Sequence, residues 1–68
     1  MPKRIPSAEF ISILTAHGFD FVFKRGSHAK YRDARGHTVI IPHPRKDIPD
    51  GTLRSMIRQS SLPKELFD

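Results

Sequence analysis

The spacing of apolar residues changes twice along this chain. Between residues 7 and 17, Phe10, Ile11 and Leu14, with Ile13 beside them, recur at i, i+1 and i+4, which is a helical spacing. Ser7 follows Pro6 and is of the type that caps a helix with its hydroxyl. Glu9 in the first turn and His17 in the last suit the helix dipole, and Gly18 supplies the stop. A helix is predicted over roughly residues 7–17.

From Phe19 the spacing drops towards two. Phe19, Phe21 and Phe23 would share one face and Val22 the other, over residues 19–24. That alternation is imperfect and predicts either partial cover on both faces or a bulge that shifts the register. Gly26-Ser27 marks a turn, and His28 to Arg32 reads as a second strand. DARG, residues 33–36, is a hairpin turn with Gly36 as its permissive position. Thr38 to Pro42 is a third strand, β-branched at Val39, Ile40 and Ile41, and Pro42 must end it or lie at an edge.

HPRKDIPD, residues 43–50, is a loop. Leu53, Met56 and Ile57 then return to i, i+3, i+4 spacing, predicting a second helix from Pro49 or Asp50 to Ser60. Arg54 and Arg58 share its exposed side. Ser61 is placed to cap a last turn over residues 63–67, where Leu62, Leu66 and Phe67 would close the core. The expected fold class is α+β, in the order α-β-β-β-α. A three-stranded antiparallel meander carries both helices on one face and leaves the other open.

A length of 68 residues sets one domain, 1–68, as the limit. A domain of this size buries only roughly 60% of its unfolded surface and has room for one shallow site. There is no cysteine, hence no disulfide and no cysteine zinc site, which suits a reducing cytosol. No apolar run nears the ~18 residues of a membrane span. The opening MPKRIPSAEF has two cations but no apolar core, so it does not read as a secretory signal.

Charge adds a partner class. The formal net charge is +5 and the pI about 10.3. The excess is local: Lys24, Arg25, Lys30, Arg32, Arg35, Arg45 and Lys46 face only Asp33 within residues 24–46. A concentrated basic segment points to a polyanion, commonly nucleic acid; an acidic protein is the other candidate. A solvated cationic face without a specific partner is the bland alternative.

Four histidines are the candidates for chemistry. His17 is accounted for by the helix end, and His37, after a turn glycine, by solvation. His43 precedes Pro44-Arg45-Lys46 and suits a phosphate contact. His28 stands in RGSHAKYR, at the start of a strand on which His28, Lys30 and Arg32 project to one side. A neutral imidazole can take a proton from a 2′-hydroxyl or from water, and neighbouring cations can stabilise charge on a phosphate. The alternative is a polar strand residue that merely hydrogen-bonds a phosphate. Asp33, Asp47 and Asp50 lack two-metal spacing, His28, His37 and His43 match no ligand motif, and Gly26 and Gly51 form no phosphate loop. No metal or other cofactor is expected.

Gly18-Phe19, Arg25-Gly26-Ser27-His28 with Tyr31, Ile41-Pro42-His43, Ile48-Pro49 and the block from Gly51 to Gln59 together resemble the HicA toxin family, over nearly the whole chain. The resemblance implies a fold similar to double-stranded-RNA-binding domains. It implies a cytoplasmic toxin that cleaves mRNA, neutralised by a HicB antitoxin, with the histidine of the Gly-Ser-His motif, here His28, as the catalytic group. On this reading Lys24, Arg25, Lys30, Arg45 and Lys46 supply phosphate contacts, with His43 beside them. Ser27 shapes the turn and borders the RNA. Arg54 and Arg58 meet either RNA or the antitoxin, and the free toxin is a monomer. The rival is an RNA-binding module without chemistry.

Overall fold

The computed structural model describes residues 5–68. The start of MPKRIPSAEF, residues 1–4, lies outside them. Helix α1 runs over Ser7–Ala16 and strand β1 over Asp20–Arg25. Strands β2 and β3 span His28–Arg32 and Thr38–Pro42, helix α2 spans Asp50–Ser60, and a 3-10 turn covers Lys64–Phe67. The strands pair antiparallel in the order β1-β2-β3.

Each element ends where local chemistry stops it. Gly18, at φ 89, closes α1. Its N–H donates to the Thr15 carbonyl, and the Phe19 N–H donates to that of Leu14 at 3.0 Å, the paired bonds of a Schellman stop. Gly26, at φ 57, takes the first place of a two-residue turn that sets Arg25 against His28, as type II′ hairpins require. Asp33 holds the next turn: its Oδ1 accepts the N–H groups of Arg35 and His37. Pro42 is the last residue of an edge strand, where its missing N–H costs no ladder bond.

Alternation along β2 and β3 divides the sheet. Ala29, Tyr31, Val39 and Ile41 are buried and meet Phe10 and Leu14 of α1 and Leu53 and Met56 of α2. Ile11, Ile13, Ile57 and Leu62 pack against this core from its margin. Phe67 is buried and stacks on Phe10, ring centroids 4.6 Å apart. Leu66, expected in the core, is instead exposed, because the 3-10 turn directs only Phe67 inward. Ile5 and Ile48 extend the core at the loop end, joined by an Ile48 N–H to Ile5 carbonyl bond of 3.3 Å.

Ser7 differs from its expected role. It is the first residue of α1, behind Pro6, and makes no capping bond to the helix. Its side chain is buried and reaches across to the loop after β3. Arg45 N–H donates to Ser7 Oγ at 2.9 Å, and Ser7 N–H donates to the Arg45 carbonyl at 2.8 Å. The free amide of the helix start is thus satisfied by the loop rather than by a cap.

Candidate active site

β2 carries the site because its two faces have opposite surroundings. Ala29 and Tyr31 point into the core, so His28, Lys30 and Arg32 point to the open side. The register completes each row on that side. Arg25 and Pro42 flank His28, Phe23 and Ile40 flank Lys30, and Asp20 and Thr38 flank Arg32. The convergence of His28, Lys30 and Arg32 expected from alternation is therefore present. His28 is exposed, and among the described residues its ring has no hydrogen-bond partner. The Lys30 ammonium lies 5.4 Å from the centroid of the Phe23 ring.

A bulge decides which residues of β1 join this face. Phe21 pairs with Tyr31, yet Phe23, not Val22, pairs with Lys30. Val22 is the extra residue. Strict alternation would keep Phe23 on the side of Phe21; the bulge turns Phe23 and Arg25 over to His28. Phe21 stays on the helix side, edge-on to Tyr31 at 5.7 Å and still exposed. Lys24 pairs with Ala29 and so lies on the helix side as well, away from His28. The broken alternation of 19–24 signals a bulge, but not which residue is extra.

His43 also turns away. Its N–H donates to the Ser27 carbonyl at 2.8 Å, which ties the loop to the β1–β2 turn. Its Nδ1 lies 2.7 Å from Ser7 Oγ, on the helix side. The hydroxyl has one proton and a second acceptor, the Arg45 carbonyl at 3.2 Å. Ser7 either donates to Nδ1, or accepts from an Nδ1–H and donates to that carbonyl. Every partner is satisfied both ways, so His43 anchors the loop carrying Arg45 and Lys46. Arg45 Nε donates to the Asp47 carbonyl at 3.0 Å, and Lys46 is exposed. Ser27 occupies the second turn position and is exposed. Arg54 is paired with Asp50 at 3.1 Å on the surface. Nothing local to Ser7 in the sequence points to this anchor, since its partners lie 36 and 38 residues away.

Chain direction gives this end of the molecule its field. α1 starts beside Arg45, and α2 starts at Asp50 just after the same loop. Both positive helix ends therefore lie at the end of the sheet where Arg25 closes β1 and His28 opens β2, with Arg45 and Lys46 in the adjoining loop and the carboxylates Glu9 and Asp50 in the first helical turns. The far end holds a groove of about 350 Å3 lined by His17, Gly18, Asp33, Arg35, His37 and Ser61 among others. There His17 Nδ1 donates to the Ile13 carbonyl and His37 Nδ1 to Asp33 Oδ2, each at 2.8 Å. Partial desolvation works to raise the Asp33 carboxyl. The bonds from His37 Nδ1 and from the His37 and Arg35 amides, with the His37 charge, outweigh it, and Asp33 lies below its ordinary 3.8.

Among the described residues, no three His, Asp or Glu side chains are grouped to hold a metal ion. No helix among them is long and apolar enough to cross a membrane. A search of curated proteins gave no match. A family model does match: residues 7–62 fit the family described as the HicA toxin of bacterial toxin-antitoxin systems. That span takes in both helices, all three strands and His28. With most of its length matched, the chain belongs to the HicA toxin family.

Proposed function

We propose that this toxin is an endoribonuclease that cleaves mRNA and so stops translation, with His28 as its general acid-base group and no metal ion in the reaction. The observation that carries this reading is the exposed His28 ring, without a hydrogen-bond partner among the described residues, on an open sheet face with Arg25 across the strand pair and Lys30 and Arg32 along β2. His28 removes the proton of a 2′-hydroxyl. The 2′-oxygen bonds to phosphorus, the bond from phosphorus to the 5′-oxygen breaks, and that oxygen takes a proton from water or a second acid. Arg25, Lys30, Arg45 and Lys46 stabilise the phosphate charge, an effect that is strongest where water is displaced. Products carry 2′,3′-cyclic phosphate and 5′-hydroxyl ends; 5′-phosphate ends would rule this route out.

A HicB-type antitoxin neutralises the toxin in the cytoplasm by covering the His28 face, and the free toxin is a monomer. A complex that still cut RNA at full rate would refute occlusion. The deciding experiment is cleavage of a defined mRNA in EDTA by wild type and by His28→Ala, both shown to be folded by circular dichroism. Cleavage by the first alone supports the reading. The missing orienting partner of the His28 ring favours a second reading, a binding module without chemistry. That module would bind RNA in a salt-dependent way and leave it intact after long incubation.

A further inference from the structure

Four apolar side chains stand exposed on the two outer strands of the sheet. Phe21, Val22, Phe23 and Ile40 keep 57%, 40%, 46% and 42% of their surface accessible. Two of them, Phe23 and Ile40, lie on the open face in the row next to His28, on either side of Lys30. Phe23 is there only because Val22 is inserted as a bulge, and bulges beside active sites often serve to re-aim a side chain. The core does not need this ring on that side, since no helix covers it.

We infer that the open face binds single-stranded RNA, with Phe23 as a stacking platform for one nucleobase while Arg25, Lys30 and Arg32 hold the backbone around it. This rests on the ribonuclease reading above and names the strandedness of its substrate. The charge on the face selects a polyanion. Its paired positions hold Arg25, Lys30 and Arg32 against Asp20 alone. The aromatic ring then selects among polyanions. A duplex buries its base faces in its own stack and offers phosphates and 2′-hydroxyls, for which Phe23 has no use. An unpaired base offers a π-face of any sequence, and aromatic stacking on it is tolerant of base identity. The Lys30 ammonium beside the ring suits this geometry, because it can follow the phosphate of a nucleotide whose base is stacked on Phe23. Chemistry agrees: a 2′-oxygen must swing in line with the leaving 5′-oxygen, a motion that a regular duplex resists.

The test uses the full chain carrying His28→Ala, so that bound RNA stays intact. Its affinity is measured by fluorescence anisotropy for a short labelled RNA strand and for the same strand annealed to its complement. Phe23→Leu and Phe23→Tyr are added to that background, with circular dichroism as the folding check. The single strand should bind about tenfold more tightly than the duplex. Phe23→Leu should lose about tenfold on the single strand only, with the salt slope unchanged because no phosphate contact is removed. Phe23→Tyr, which keeps a ring, should bind as its parent does and guards against a leucine variant that fails to fold. Equal or tighter duplex binding, or indifference to Phe23→Leu, overturns the inference. So does a Phe23→Leu defect seen only in binding a protein antitoxin, which would make the face a protein interface. Cleavage by the His28 protein is scored separately. A wild type that does not cut sinks the ribonuclease reading while Phe23-dependent binding still stands, and a wild type that cuts with Phe23 indifferent sinks the platform alone.

Discussion

Each end of this small domain carries two histidines, and the two ends hold them differently. At the far end both rings are tethered through Nδ1, His17 to a helix carbonyl and His37 to Asp33, beneath the negative ends of both helices. At the near end one ring, His43, is tethered to Ser7, while the exposed His28 ring has no hydrogen-bond partner among the described residues and pairs across the strands with Arg25. The far end has the carboxylate-imidazole pair that a search for a catalytic dyad would select. Yet that pair lies at the negative helix ends, away from the row of His28 and Arg25. The difference teaches that, with His28 as the proposed catalytic group, orientation by a carboxylate does not by itself mark the working histidine. Under the proposed mechanism the exposed ring on the open face does the chemistry instead.

The sharpest way to break the comparison is to exchange the ends. His28→Ala should lower RNA cleavage by about 10²–10⁴-fold, the usual worth of a positioned acid-base group. His37→Ala should change it less than about threefold. Equal losses in a cleavage assay would end the distinction. Next in size is Ser7→Ala, which strands the Arg45 amide and deprives His43 of its partner. It should cost about 1–3 kcal/mol in urea denaturation, with a smaller loss of cleavage per folded molecule than His28→Ala because only the loop of Arg45 and Lys46 is loosened.

Binding sharpens the contrast in field. Arg25→Gln should flatten the logarithmic dependence of RNA affinity on salt by about one unit, as one phosphate contact is lost. Arg35→Gln, at the far end, should leave that slope alone. The smallest effect is one of pH on stability. The folded Asp33 carboxyl lies below its ordinary 3.8, so its stabilisation is present in full above that value and is lost as pH falls through the lowered one. Denaturation between about pH 5 and pH 2 should thus depend less on pH in Asp33→Asn than in wild type. An unchanged profile would mean that the His37–Asp33 contact does not form in solution.

Much of this was legible in the sequence where the determinants are local. The spacing of Leu53, Met56 and Ile57 placed α2 at its observed bounds, and alternation in HAKYR put His28, Lys30 and Arg32 on one side. Gly18 ends α1 as its position suggested, and β1 is shifted by one residue from the predicted 19–24. What escaped depends on partners far along the chain. Lys24 and Phe23 trade faces through one extra residue, and a parity slip of that kind cannot be assigned to a single position from propensity. Ser7 reads as a cap because its neighbours are those of a helix start, whereas its true partners are residues 43 and 45. Ile48 sits in a loop by sequence and in the core by packing.

The Ser7–Arg45 link also sets a clock. The two residues are 38 positions apart, so at roughly 5–20 residues per second α1 waits about 2–8 s during synthesis for its anchor. Before β3 is made the nascent chain has only α1 and the β1–β2 hairpin around His28, and an isolated hairpin is marginal in water. The open face is therefore assembled late, when β3 and its loop have been made. A ribosome translating this chain carries an unfinished sheet until then.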